Sequence, residues 1–506
     1  MIENALTSLP LVFEWQILLS MIIGLVAGIM LGAVPGLTAA IGISLLIPLT
    51  YGMDPLVALA MIAGIHNGGS YGGAIPAILF NIPGTPGAVA TTFDGYPMAK
   101  MGLAVPAVKI AALSSAIGGV FSAIVLLLVA PLLATVTLAF GPPELFWVNV
   151  LGLTSVAVLL GSDPLKGLIS ACLGLWVGMI GLDYVSGYAR YSFDIIELSD
   201  GLSLLVVLVG LYALPAAWQA IEDGQSRQGL DMGRFFKSEK SFRWPWQDLF
   251  PCWTRASIVG LVVGLLPGIA GSAGGFLAYN EVRRTNKDPQ SFGRGNPLGV
   301  AATEASNNAD NGASMVPALT LGIPGGGVAA LLLGALLIHG MEPGPQLFQD
   351  PEDALIVFGY IWAMILTSAG IYFFGGPIAS RIFAQVLKVP PHILMPMIVG
   401  LTFVGIYTFS SNMFMVYAMF AFGFLGYWMK RFDFPFPPVV IGLVLGDKAE
   451  AMLRTSIMLS QGDITILFTR PISMVLVALV GLILAKPLLT GLKRRKLKKQ
   501  DSAAAD

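Results

Sequence analysis

Twelve apolar stretches follow one another along the chain with short breaks, at 15–33, 36–50, 55–66, 105–139, 144–161, 165–182, 200–221, 254–279, 312–340, 354–386, 392–428 and 471–490. A helix that crosses a bilayer needs about 20 such residues. Only 11% of the 506 residues are charged, and mean hydropathy is +0.79. A soluble domain carries roughly 25% charged residues. There are too few charges here to make a hydrated skin, so the bilayer is the solvent this chain fits. The predicted class is an all-α polytopic membrane protein.

Several stretches are too short for a full span, and several are long enough for a hairpin. Sixty glycines and 33 prolines interrupt them. That mixture predicts broken or re-entrant helices, which are tolerated at membrane depth only inside protein or beside water. The N-terminus carries acids and no Lys or Arg before the first apolar stretch. It therefore lacks the basic region of a cleaved signal peptide, and the first stretch is expected to stay as a helix or hairpin arm. Net charge is -1, which excludes a general polyanion surface and argues against nucleic acid as a partner. Cys172 and Cys252 form no metal or disulfide pattern and are expected to be buried apolar residues.

The most informative feature after hydropathy is an internal echo. GAVPGLTAA (Gly32 to Ala40) returns as GLLPGIAGS (Gly264 to Ser272). Further on, GGAIPAILFNIPGTPGAVA (Gly72 to Ala90) returns as ASMVPALTLGIPGGGVAA (Ala313 to Ala330). Pro76 precedes Pro83 by the same spacing as Pro317 precedes Pro324. Paired Gly/Pro-interrupted apolar segments are the best sequence pointer to a transporter's binding site.

Charge argues that the two halves are inverted. After the first PG element comes TYGMDP (Thr50 to Pro55) with no base, whereas its echo is followed by EVRRTNKDPQSFGR (Glu281 to Arg294). After the first IPG come Lys100 and Lys109; after the second come Glu342, Asp350, Glu352 and Asp353, with no base before Arg381. Equivalent loops of opposite bias belong on opposite faces. The expected organisation is a first membrane repeat at 1–221, a basic cytoplasmic connector at 222–253, a second repeat at 254–490, and a cytoplasmic tail at 491–506 that opens with KRRKLKK (Lys493 to Lys499).

The broken segments suit an anion. Glycine lets a ligand approach the main chain, and a helix that restarts after IPG presents unpaired N–H groups with a favourable dipole. In the first segment the candidate ligand residues are Asn67, Ser70, Tyr71, Asn81, Pro83, Gly84 and Thr85. In the second they are Asn308, Asn311, Ser314, Thr320, Pro324, Gly325 and Gly326, with Asn307 alongside. Buried amides are costly without partners, so packing alone does not account for them. Their neutral oxygens, with unwound carbonyls, also suit Na⁺. Glu304 and Asp310 are candidates for coupling to a cation or proton, and Asp94 is either such a site or a solvated loop residue. His66 reads as a structural hydrogen-bonding residue. No metal-ligand cluster, no cofactor motif and no P-loop, HExxH or GxSxG context stands out, which argues against an enzyme and against ATP drive.

These segments resemble the large membrane subunit of the bacterial tripartite tricarboxylate transporters. The resemblance rests on VPGLTAAIGISLLIPLTYGMDP (Val34 to Pro55), on HNGGSYGGAIPAILFNIPGTPGAVATTFDGYPMAKMG (His66 to Gly102), on LLPGIAGS, and on EASNNADNGASMVPALTLGIPGGGVAALLLGAL (Glu304 to Leu336). It implies a multi-pass permease of the bacterial inner membrane that works with a small membrane subunit and a periplasmic solute-binding protein. It implies uptake of di- or tricarboxylates such as citrate, with Na⁺ or H⁺ as coupling ion and no other cofactor. Gly327 stands where the first segment has Pro86, so the two segments need not play equal roles.

The resulting expectation is alternating access, with the anion held between the two segments near mid-membrane. The apolar runs near 105–139 and 354–428 would form a scaffold that could carry a homodimer contact. Three other readings stay open at this point: a stand-alone ion-coupled anion permease, a polytopic membrane enzyme, and a membrane protein that binds an anion as a scaffold without moving it.

Overall fold

The computed structural model describes residues 2–34, 38–137, 140–159, 163–183, 188–222, 242–266, 272–376, 382 and 391–485. Several expectations fall outside these residues: both PG elements (Pro35, Gly36, Pro267, Gly268), most of the 222–253 connector, and the basic tail.

The described chain is almost wholly helical. In order come α1 (Ile2–Leu11), α2 (Trp15–Ala33), α3 (Ala39–Thr50), α4 (Pro55–Gly72), α5 (Ala74–Phe80), α6 (Thr91–Lys100), α7 (Ala104–Thr137), α8 (Pro142–Leu159), α9 (Pro164–Gly178) and α10 (Leu204–Glu222). Then follow α11 (Trp246–Leu265), α12 (Ser272–Thr285), α13 (Pro297–Leu321), α14 (Gly327–Ile338), α15 (Pro351–Phe374), α16 (Pro391–Ser410), α17 (Met413–Arg431), α18 (Pro437–Leu459), α19 (Ile466–Thr469) and α20 (Pro471–Ala485). A two-residue antiparallel pair, β1 (Gly181–Leu182) and β2 (Ala189–Arg190), lies between α9 and α10. Among the described residues, five helices are long and apolar enough to cross a membrane: α2, α7, α11, α15 and α17. Their outward faces carry large apolar side chains, such as Leu128 and Leu132 on α7 and Phe373 on α15. Lipid tails match such a surface.

Packing divides the chain into two compact units. The first comprises residues 1–135 and 203–428, the second 136–202 and 429–506. In the first unit, α4 and α13 are the central helices. Each starts the same way, with a side chain capping the first turn ahead of a proline: Asp54 Oδ1 accepts from Leu56 N at 2.9 Å, and Asn296 Oδ1 accepts from Leu298 N at 2.9 Å. Such a cap contributes about 1 kcal/mol, and proline is pre-organised at the first helical position.

Each of the two helices is flanked closely by a glycine-bearing partner, α2 on α4 and α11 on α13. A methyl group built on Gly28 would lie 2.5 Å from the Ile65 carbonyl oxygen, and one on Gly260 would lie 2.2 Å from the Ser306 carbonyl oxygen. Gly32 likewise meets Gly69, and Gly264 meets Asp310. Ile65 and Ser306 stand at the same distance before Pro76 and Pro317, as do Gly69 and Asp310. The echo in sequence is thus an echo in packing: glycine removes the side chain where two backbones touch.

Both IPG segments end their helices with one backbone closure. Asn81 (φ 61) and Gly322 (φ 70) adopt the left-handed conformation. Ile82 N then donates to Pro76 O at 3.3 Å, and Ile323 N to Pro317 O at 3.2 Å. This is the six-to-one bond of a Schellman end. The continuations differ. Gly326 leads straight into α14, whereas Pro86–Ala88 form a single 3₁₀ turn before α6.

In the second unit α18 packs between α8 and α9. Arg190 on β2 pairs with Asp183 at 2.9 Å and with Glu450 of α18 at 3.0 Å, and Arg454 also pairs with Asp183. The fully buried Glu144 is held by Arg470 at 2.8 Å. Of the two cysteines, Cys252 is buried as expected, but Cys172 is exposed on the outer face of α9.

Candidate functional site

All of the candidate asparagines except Asn81 lie within helices. Asn67, Ser70 and Tyr71 occupy the last turns of α4, and Glu304 through Thr320 run along the buried length of α13. The glycines of this segment read from sequence as places where a ligand could approach the main chain. Here those glycines serve close packing: Gly68 sits against the Leu25 carbonyl oxygen of α2, and Gly72 against that of Ile29.

Where α4 passes α13, their amides join. Ser70 Oγ donates to Asn311 Oδ1 at 2.9 Å, and Asn311 Nδ2 donates to Asn67 Oδ1 at 3.0 Å. Asn67 Nδ2 in turn reaches α15, at Met364 O (3.0 Å) and Thr367 Oγ1 (2.9 Å). Asn307 Nδ2 donates to Ser70 O at 3.1 Å. Asn67, Asn308 and Asn311 are all buried. Such a network fixes the crossing of three helices, and each of its members is costly to leave unpaired.

Asn308 bonds only its own helix through Nδ2, to Glu304 O at 3.2 Å, and its Oδ1 is buried without a partner among the described residues. Ser314 Oγ bonds Asn311 O at 3.1 Å, and Gly325 packs on Ser314 and the Gly264 carbonyl. Gly84 packs in the corresponding way, on the Gly32 carbonyl and Gly73. Thr85 Oγ1 is buried beside Gly73 with no partner among the described residues. Pro83 and Pro324 lie within the breaks that place these glycines.

Other candidates are drawn away from the amides. Asn81 is exposed and closes α5 as its left-handed cap, the position its counterpart Gly322 fills on α13. Thr320 turns its hydroxyl back to Val316 O at 2.7 Å in its own helix. Tyr71 is fully buried and its hydroxyl donates to Gly375 O at the end of α15. Gly326 caps α14 without a side-chain bond.

The two coupling candidates differ. Glu304 is fully buried: Oε1 accepts from Thr91 of α6, and Oε2 from Ser115 of α7 at 3.0 Å. No ion pair among the described residues includes it. Asp310 faces Gly264 of α11. Asp94 is neither solvated nor open. It is fully buried and accepts from Gly293 N, Gly295 N and Asn296 N at 2.8–2.9 Å and from Tyr279 Oη at 2.9 Å. It clamps the start of α13 to α6. His66 is buried, and its Nδ1 has no bond among the described residues.

A model of the tripartite tricarboxylate transporter TctA family matches residues 18–441, which take in both halves of the amide network. The chain belongs to the TctA family. Two relatives come from Agrobacterium vitis. One, an uncharacterized 52.8 kDa protein in the TAR-I ttuC′ 3′ region, is 34% identical over 482 residues, 95% of this chain and 93% of the relative. The other, an uncharacterized protein in the TAR-II ttuC′ 3′ region, is 35% identical over 220 residues, 44% of this chain and 90% of the relative. No solved structure matches. TctA membership and the apolar helices together make this a multi-pass membrane protein of a transporter family, not of an enzyme family.

For this TctA chain, sequence reasoning missed Thr91, Ser115, Thr367 and Ser368. All four are buried polar residues on helices packed against α4 or α13. Their only local signal is a pair of adjacent hydroxyl residues, Thr91-Thr92, Ser114-Ser115 and Thr367-Ser368. What they touch is set by helix packing, which no local pattern encodes.

Proposed function

We propose that this chain is the large permease subunit of a binding-protein-dependent tripartite system, and that it takes up carboxylate anions, di- or tricarboxylates such as citrate, driven by a Na⁺ or H⁺ gradient. The observation that carries this reading is the buried amide network at the crossing of α4 and α13, flanked by the glycine turns of both IPG segments. Neutral donors and acceptors at membrane depth can exchange their mutual bonds for bonds to a carboxylate. Glu304 and Asp310 lie on the same helix, where a cation or proton would offset the anion's charge.

Inversion of the two halves fits the matched helix ends and glycine contacts, together with the opposite charge bias of equivalent loops. Ser70 and Asn311 occupy equivalent positions and touch each other, as residues near a two-fold axis do. Alternating access about that crossing follows. The partners would be a small membrane subunit and a periplasmic solute-binding protein, in the bacterial inner membrane.

The test is uptake by proteoliposomes holding the permease and the small subunit, with the binding protein outside. A panel of labelled carboxylates would be offered under an inward Na⁺ gradient, a proton gradient, or neither. The reading predicts gradient-dependent uptake that needs the binding protein. Equal uptake without the binding protein would favour a stand-alone permease, and no uptake of any carboxylate by folded protein would overturn the reading.

A further inference from the structure

We propose that the exposed face of α11 binds an anionic phospholipid, with the phosphate on Arg255 and an acyl chain along Ile258, Val262 and Leu266. These residues follow one another at spacings of three and four, so they share one side of the helix. Ile258, Val262 and Leu266 are each about half exposed, and lipid tails match such a stripe. Toward the start of α11 the same face turns polar, with Arg255, Thr254 and Gln247 all exposed. A second helix changes at the same level. Arg255 Nη1 donates to Thr285 Oγ1 at the end of α12, at 2.8 Å. On its way to Thr285, α12 passes from exposed Leu277 to exposed Asn280, Arg283 and Arg284. The shared change from apolar to polar marks where hydrocarbon ends and headgroups begin. Aromatic rings gather on the polar side of that boundary. Trp246, half exposed, stacks on Trp244 with ring centroids 5.0 Å apart. Phe250 meets the buried Trp253 edge-on at 5.5 Å, and Trp253 is fixed by its Nε1 bond to Ser114 Oγ of α7 at 2.8 Å. Tryptophan suits headgroup level because its body is apolar and its N–H is polar.

Charge decides the class of lipid. A guanidinium has five N–H donors. Arg255 spends one on Thr285, and among the described residues the others have no partner and no carboxylate pairs with it. Arg284, next to Thr285, differs: Glu281 already holds it at 3.0 Å. Arg255 therefore carries the uncompensated charge at the boundary, and its planar fork fits the oxygens of a phosphate. A zwitterionic headgroup would bring its own cation to the same place, so an anionic lipid is favoured. The bases of the connector at 222–253 and of the segment Glu281 to Arg294 put this end of α11 on the cytoplasmic side. Juxtamembrane bases there attract anionic lipid.

The test needs no transport, so its failure leaves the permease reading untouched. The purified full-length protein in detergent would be titrated with phosphatidylglycerol, phosphatidylcholine and glycerol phosphate, and occupancy of the tightest site read by native mass spectrometry. Wild type is expected to bind phosphatidylglycerol saturably and more tightly than the other two. Arg255→Gln should weaken phosphatidylglycerol about fivefold, as expected for one basic residue at an anionic surface, and leave phosphatidylcholine unchanged. Lys166→Gln, a remote change of the same charge on α9, should leave both unchanged. Ile258→Ala with Val262→Ala should weaken phosphatidylglycerol and not glycerol phosphate; this pair decides if Arg255→Gln does not fold. Equal affinity of wild type for the two lipids would overturn the site, as would wild-type affinity in Arg255→Gln. Glycerol phosphate bound as tightly as the lipid would leave a phosphate site with no acyl chain and overturn the lipid. Displacement of the lipid by the small membrane subunit would assign the face to a protein helix and overturn it too.

Discussion

The Ser70 hydroxyl donates to the Asn311 amide oxygen at 2.9 Å, and the two residues stand at the same distance ahead of Pro76 and Pro317. Two related segments bring equivalent residues into contact only where they face one another. Asn311 also donates to Asn67, so it links Asn67 and Ser70 of α4.

Asn311→Ala should therefore be the more damaging change of the two. It leaves the buried Asn67 Oδ1 without its donor, at about 1–3 kcal/mol, and leaves Ser70 Oγ only the His66 carbonyl of its own helix as acceptor. Ser70→Ala keeps the Asn67–Asn311 bond. In a double-mutant cycle read by thermal unfolding, Ser70 and Asn311 should couple by roughly 0.5–3 kcal/mol.

Thr320→Val is the contrasting case. The Thr320 hydroxyl bonds Val316 O within its own helix, and valine keeps the shape. Initial uptake rate should stay near wild type. A large loss would return Thr320 to the ligand set.

Tyr71→Phe removes the bond to Gly375 O and leaves the ring in its buried slot. The expected result is a loss of about 1–2 kcal/mol of stability. KM for the carboxylate should not change, because the hydroxyl faces the end of α15 and not the amide network.

Asp94→Asn should loosen the segment ahead of α13. The carboxylate gathers three backbone N–H groups and one phenol, and bonds to a charged acceptor contribute about 1.5–3 kcal/mol. Limited proteolysis should cut within 286–296 at least as fast as in wild type and, on this account, faster. Tyr279→Phe should show a smaller effect of the same sign.

Much of the fold was legible in local pattern. The apolar stretch from 55 marks the start of α4, and Ile-Pro-Gly marks the breaks at 82–84 and 323–325, whereas the start of α13 at Pro297 lies well ahead of the stretch read at 312–340, because the first turns of that helix are built from small and polar residues. The pairing of Ser70 with Asn311 followed from the echo as a candidate region, though not as a bond. Other features were not legible because they depend on what a helix packs against. Gly68 and Gly72 read from sequence as room for a ligand, but with α2 beside them they are the residues that let two helix backbones touch. Asn81 carries the same amide as Asn67, but the left-handed helix end turns it outward. Asp94 looks solvated until the segment before α13 folds back over it.

The most direct test of the central claim is carboxylate uptake by the assembled system, with wild-type protein beside Asn67→Ala/Asn311→Ala. The account predicts gradient-driven uptake by wild type and its loss in the double variant, in protein that unfolds cooperatively and inserts normally. Undiminished uptake by the double variant would contradict it and move the anion away from the crossing of α4 and α13.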